Sequence, residues 1–323
     1  MKRVVHSFVI LGEGGLKLFN TPVLVLTWMY SIMRWKKDGY NLVMYVDNIG
    51  YSYMKQLQLD ILYDEIIIEQ TESWKKEEDI NWYRAWASIK LLSYYDQLVK
   101  HPKDEIVVAD LDLFLTQPFQ NFSSIADVVL AADIEKWNIY PTIKRYPLPD
   151  GYSLPEWYSG DVLPYNTGVI YFKDNSHAEK VVSEILKMVR HNYNLGESDM
   201  AYPMCNFEQR TIAEYCNYNK LQIKCIFPHH TKDCGEQFLY YHSNGLHWMG
   251  YKKEVSGFRK ESYVIGLLKM IRHFDEKYYN KIKDNILWKD EYKFMKEDLT
   301  TILPDIPEWC HIKNLLGDNL WQK

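Results

Sequence analysis

What most constrains this chain is an alternation over residues 3 to 115. Short apolar, β-branched runs alternate with longer segments of helical spacing. Arg3 to Leu11 is an apolar run ended by Gly12-Glu13-Gly14-Gly15. Asn20 or Thr21 then offers a helix cap and Pro22 sits in the first turn, so a helix is expected to about Lys37, stopping at Asp38-Gly39. Asn41 to Val46 reads as a second strand, Gly50 to Leu59 as a short helix and Glu65 to Glu69 as a third strand. Asn81 to Leu98 has helical spacing, and Glu105 to Leu115 reads as a fourth strand. Strand and helix in turn, with short joints, predict a parallel sheet with right-handed crossovers. Ligands of such sheets lie beyond the carboxyl ends of the strands. That rim would carry Gly12-Glu13-Gly14, Asp47-Asn48 and Asp110 to Asp112.

The second half is less regular. Asp127 to Ala132, Gly168 to Phe172 and Leu221 to Phe227 read as strands, and His177 to Asn192 and Phe207 to Asn217 as helices. Trp137 to Pro164, rich in Tyr, Pro and Gly, reads as a long loop of the kind that often handles substrate. After Lys253 the pattern is helical and polar. From Ser262 to Lys323, Lys and Arg balance Asp and Glu, so this stretch is no basic membrane anchor.

Composition removes several classes of function. Lys and Arg number 38 against 43 Asp and Glu, a net charge of −5, so no global basic field exists to hold a nucleic acid. Neither G-x-G-x-x-G nor a P-loop follows any strand, which disfavours dinucleotide and kinase-type nucleotide sites. The longest apolar run, Pro22 to Met33, is too short to span a bilayer, and the N-terminus has no signal-peptidase site. A cytoplasmic protein is expected. Cys205, Cys216, Cys225, Cys234 and Cys310 include no C-x-x-C pair, so reduced thiols are the expectation; zinc on Cys225 and Cys234 with His229 or His230 is a minor alternative. Aromatic residues make up 15%, and their flat faces suit sugars and nucleobases as well as cores.

Two segments stand out chemically. Asp110-Leu111-Asp112 ends an apolar strand. In extended chain the two carboxylates leave on one face, ~6–7 Å apart, and could approach one hard divalent cation. As an isolated tripeptide, D-x-D is more often a strand end emerging into solvent. The second segment is Tyr241-His242-Ser243-Asn244-Gly245-Leu246-His247-Trp248-Met249-Gly250-Tyr251-Lys252-Lys253. A neutral imidazole there could be a third ligand for Mn²⁺ or Mg²⁺. Gly250 permits close backbone approach, and Lys253 could pair with a diphosphate.

Taken in order, Asp110-Leu111-Asp112, Asn166-Thr167-Gly168, Glu208-Gln209 and His247-x-x-Gly250-x-x-Lys253 resemble a glycosyltransferase of the GT-A fold. The pattern is most similar to the retaining glycogenin-like and lipooligosaccharide galactosyltransferase-like group, glycosyltransferase family 8. The resemblance covers roughly residues 3 to 253. It departs in three places: Glu254-Val255 replaces the usual Pro-Trp, His242-Ser243-Asn244-Gly245 is a competing H-x-x-G, and the opening glycine loop does not match.

The resemblance implies an α/β GT-A type fold: a mixed, mostly parallel sheet flanked by helices. It divides the chain into a catalytic domain over 1–253, with a nucleotide-binding half to about 120, and a helical extension over 254–323. It implies a hexosyltransferase-type enzyme of polysaccharide biosynthesis, using Mn²⁺ or Mg²⁺. The donor would be a nucleotide-sugar, UDP-linked by expectation. The acceptor would be a glycan or lipid-linked saccharide, the latter allowing peripheral contact with a membrane. Asp110, Asp112 and His247 would hold the metal. Asp47, Lys90, Asp110, Asn166, Thr167, Gly168, Gly250 and Lys253 would contact the donor, with Arg84 a weaker candidate. Glu208 and Gln209 would sit near the anomeric carbon, and Asp161 or Glu208 would serve as base if the reaction inverts. Trp157, Tyr158 and Tyr165 could stack on acceptor sugars or simply pack the loop. Two other classes remain open: a sugar-phosphate nucleotidyltransferase, faintly echoed by Gly12-Glu13-Gly14-Gly15-Leu16-Lys17, and a non-catalytic carbohydrate-binding protein.

Overall fold

The computed structural model describes residues 1–10, 22–69, 82–111, 113–115, 118–134, 148, 150–158, 162–193, 207–230, 245–247, 268 and 271–282. The first apolar run forms β1 (Lys2–Phe8), buried on both faces. Pro22 opens α1 (Pro22–Lys37), whose last turn carries Arg34, Lys36 and Lys37 against the negative end of the helix dipole. Gly39 stops it: at φ 81° it adopts the left-handed conformation, while the Tyr40 N–H donates back to the Trp35 carbonyl. β2 (Asn41–Val46) and α2 (Asn48–Gln56) follow, then a 3₁₀ turn at Asp60–Leu62 and β3 (Glu65–Ile68). Next come α3 (Trp82–Lys100), β4 (Glu105–Ala109), β5 (Leu113–Leu115), the single turn α4 (Gln120–Ser123) and β6 (Val128–Ile134). The second half supplies β7 (Tyr165–Phe172), α5 (Asn175–Tyr193), α6 (Phe207–Tyr218), β8 (Ile223–His230), β9 (Gly245–His247) and α7 (Glu276–Ile282).

Seven strands form one sheet in the order β3-β2-β1-β4-β7-β6-β8. β7 runs antiparallel to both its neighbours, and the other pairings are parallel. This is a mixed, mostly parallel, helix-flanked α/β sheet. Side-chain alternation along β1 sends Val4 and Phe8 to one face and Val5 and Val9 to the other. The first face is covered by α1 and α2, through Trp28, Trp35 and Met54. Leu268, Ile271, Tyr278 and Tyr279 join the same core, so the stretch beyond residue 253 contributes to packing on the first face. The second face is covered by α3, α5 and α6, through Tyr94, Val182 and Tyr215.

One expected strand divides. Glu105 to Leu115 is not one extended run, because the chain turns after Ala109 and the Leu113 N–H donates to the Asp110 carbonyl at 3.4 Å. β4 lies in the large sheet. β5 leaves it and pairs antiparallel with β9. Of the two aspartates, Asp110 stands in this turn and Asp112 lies outside the described residues.

Candidate active site

At the rim beyond β1 and β2, Asp47 caps α2. Its Oδ1 accepts from the Gly50 N–H at 2.9 Å and from the Ile10 N–H at 3.1 Å. One buried carboxylate thus clamps the end of β1 to the start of a helix. Gly50 is required by the same close packing: a Cβ there would lie 2.5 Å from Val46 Cγ2 and 2.9 Å from Phe8 Cε2.

Beyond β4 the geometry becomes chemical. The Asp110 N–H donates to the Gly168 carbonyl at 2.8 Å, fixing this residue against the start of β7. Lys90, buried on α3, places Nζ 2.8 Å from Asp110 Oδ1 and also donates to the Thr167 carbonyl. The Thr167 hydroxyl donates to Glu208 Oε1 at 3.0 Å. Asn166 Oδ1 accepts from the Gly168 N–H at 2.8 Å, closing an Asx turn at the mouth of β7. Lys90, Asp110, Thr167 and Glu208, drawn from three elements and the turn after β4, therefore make one continuous, largely buried network.

Glu208 occupies the first turn of α6, where the helix dipole favours a negative group. Burial outweighs that benefit and pushes its carboxyl up to about 7. The Lys90 charge and the Thr167 hydrogen bond pull it down, and the Asp110 charge pushes it further up. Glu208 Oε2 is buried and has no hydrogen-bond partner among the described residues. Gln209 and Arg210 beside it are also buried, and Arg210 Nη1 donates to the Val162 carbonyl at 3.0 Å. The first turns of α6 thus face inward with polar groups.

His247 reaches the same quarter through backbone register. In the β5–β9 ribbon Leu113 is the direct partner of His247, one residue beyond Asp112. The ribbon thus brings the distal end of the D-x-D segment beside the expected histidine. Asp112, Asp161, His242, Gly250, Lys253 and the side chains of His247 and Arg84 lie outside the described residues. So do Cys234 and the side chains of His229 and His230, the remaining members of the zinc alternative. Among the described residues no three His, Cys, Asp or Glu side chains stand close enough to hold a metal ion. The thiol of Cys216 is buried and pushed up to about 12 by that burial, which makes it inert.

The aromatic residues expected at the acceptor resolve toward packing. Trp157 is buried, stacked on Tyr158 at 4.2 Å and edge-on to Tyr215 of α6 at 5.4 Å. Tyr165 is half-buried against the same core. Two features carried no sequence signal. One is the Thr167–Glu208 bond, which joins residues 41 positions apart. The other is a buried relay on β1: Trp28 Nε1–H donates to the Tyr63 hydroxyl at 2.7 Å, and that hydroxyl lies 2.7 Å from His6 Nδ1. The one Tyr63 hydroxyl thus ties Trp28 of α1 to His6 of β1. Burial lowers the His6 pKa to about 3, with Asp110 partly opposing.

Fold and site together define a helix-flanked, mostly parallel α/β protein with a largely buried acid–base network at the carboxyl rim of its sheet. The chain belongs to the family of unknown function DUF6734, whose model matches residues 18–285. No curated protein matches it. Among solved structures it is similar to mouse xyloside xylosyltransferase 1 in its apo form, at 11% identity and a TM-score of 0.39, covering 70% of this chain and 85% of that one. It is also similar to the PaToxG glycosyltransferase, at 12% identity and a TM-score of 0.32, covering 68% of each chain.

Proposed function

We propose that this chain is a metal-dependent glycosyltransferase. It would move a hexosyl group from a nucleotide-sugar, UDP-linked, to a hydroxyl of a glycan or lipid-linked saccharide, with retention of configuration. The observation that carries the reading is the Lys90–Asp110–Thr167–Glu208 network at the carboxyl end of β4. It occupies the rim where ligands of such sheets bind, and three of its four members, Asp110, Thr167 and Glu208, each belong to one of the ordered motifs.

The donor set fits a hard divalent ion. Asp110 gives Oδ1 to Lys90; Asp112, next in the chain to Leu113, and His247, the backbone partner of Leu113, would supply the further oxygen and nitrogen ligands. Mn²⁺ or Mg²⁺ held there would neutralise charge on the departing diphosphate as a Lewis acid. Lys90 orients Asp110 through its hydrogen bond to Oδ1. Lys253 supplies a second cation for the phosphate oxygens. Asn166, Gly168 and Gly250 let the donor approach the backbone. The bond between the anomeric carbon and the phosphate oxygen breaks, and one from the acceptor oxygen to that carbon forms. The acceptor's proton passes to the departing phosphate on the same face. Ionised Glu208 stabilises the positive anomeric centre, and Gln209 orients the sugar.

The test is a screen of nucleotide-sugars for Mn²⁺-dependent hydrolysis or transfer. Activity with a UDP-sugar that vanishes in Asp112→Asn, with a melting curve like wild type, is expected. Turnover by that variant in chelating buffer would remove the metal site from the account.

A further inference from the structure

Glu208 is held from one side only. Its Oε1 accepts from the Thr167 hydroxyl at 3.0 Å, and its Oε2 is buried without a hydrogen-bond partner among the described residues. Thr167 is itself buried, and its hydroxyl is engaged by Glu208. Its carbonyl accepts from Lys90, the same ammonium that holds Asp110. One residue therefore bridges the two acids, by its backbone to the Asp110 side and by its side chain to Glu208.

We infer that Thr167 is a positioning residue for Glu208: it fastens Oε1 so that Oε2 is the oxygen left to address the substrate. The inference rests on the transferase reading and gives Thr167 a role in it other than donor contact. A hydroxyl donor fixes the carboxyl plane, which a methyl of the same volume cannot do. It also favours the ionised carboxyl, as does Lys90 on α3, whereas Asp110 beyond β4 opposes ionisation.

Four variants in the full chain test this: Thr167→Val, Thr167→Ser, Glu208→Gln and the Thr167→Val/Glu208→Gln double variant. Thr167→Val should lower kcat about ten-fold with KM for the nucleotide-sugar nearly unchanged, and Thr167→Ser should restore most of it. In the Glu208→Gln background Thr167→Val should cost little more, because its effect passes through a carboxylate already gone. Additive losses, or a Thr167→Val enzyme equal to wild type, would overturn the inference. Carboxyl-labelled NMR of unliganded protein separates this failure from failure of the transferase reading. If Thr167 holds Glu208, the Glu208 titration moves to higher pH in Thr167→Val and returns in Thr167→Ser, whether or not any sugar is transferred. No movement would overturn the inference. Movement in a protein that turns over no nucleotide-sugar would leave Thr167 holding Glu208 and overturn the transferase reading, with Thr167's part in it.

Discussion

At the residue scale, Glu208 and His6 are titratable groups moved by burial in opposite thermodynamic senses. Glu208 is raised to about 7, so the folded state holds its proton more tightly than the unfolded chain does. Its contribution is fully present below about pH 4.5 and is lost as pH rises through 7. Glu208→Gln keeps an acceptor for Thr167 and removes the charge. Melting curves from pH 5.5 to 8.5 should therefore show the variant gaining on wild type as pH rises; parallel curves would mean that Glu208 is not strained. His6 is lowered to about 3, so the unfolded chain takes up a proton that the folded state refuses. Its contribution is present above about pH 6.5 and fades as pH falls toward 3. If ionised Glu208 serves the reaction, kcat should rise with pH along an acid limb near 7, and Glu208→Gln should flatten that limb. A limb that persists in the variant would assign it to another group.

Among the elements, α2 shows how tightly the rim is built. Gly50→Ala adds a methyl where Val46, Asp47 Oδ1 and Phe8 already stand within 3 Å. Better helix propensity should gain ~1 kcal/mol at most, while overpacking costs ~1–3 kcal/mol, so net destabilisation is expected in urea titration. An unchanged midpoint would show that the helix shifts freely. The sheet was largely legible because strand periodicity and punctuation agree: Asn41–Val46 matches its expected bounds, and α1 ends where Asp38-Gly39 says it should. The β4–β5 break was not legible. Ile106 to Leu115 is uniformly apolar apart from Asp110 and Asp112, and nothing local marks a change of sheet. What makes Leu113–Leu115 leave is its pairing with β9, more than 130 residues away in the chain, together with Tyr30 Oη donating to the Leu115 carbonyl. The site was legible as residue types in order. It was not legible as a network, because Lys90, Thr167 and Glu208 meet only through tertiary packing.

At the scale of the whole molecule, both faces of one sheet are closed by helices, and the C-terminal stretch takes part. Phe274 lies 5.6 Å from the Tyr30 ring, with Lys37 over its face at 4.9 Å, and Ile271 is fully buried in the core of the same face. Ile271→Ala should cost ~2–5 kcal/mol in chemical denaturation, as core truncations do. A loss within experimental error would mean that this segment merely rests on the core. Among the described residues no helix is long and apolar enough to cross a membrane. The fold thus closes around a rim where Lys90, Asp110 and Glu208 converge, and the central claim is that this rim grips a metal-bound nucleotide diphosphate. Thermal melting with UDP and Mn²⁺, separately and together, tests it most directly. A rise in Tm that needs both ligands and is absent in Asp112→Asn is the predicted result. Equal stabilisation of wild type and variant, or none with any nucleotide, would contradict it.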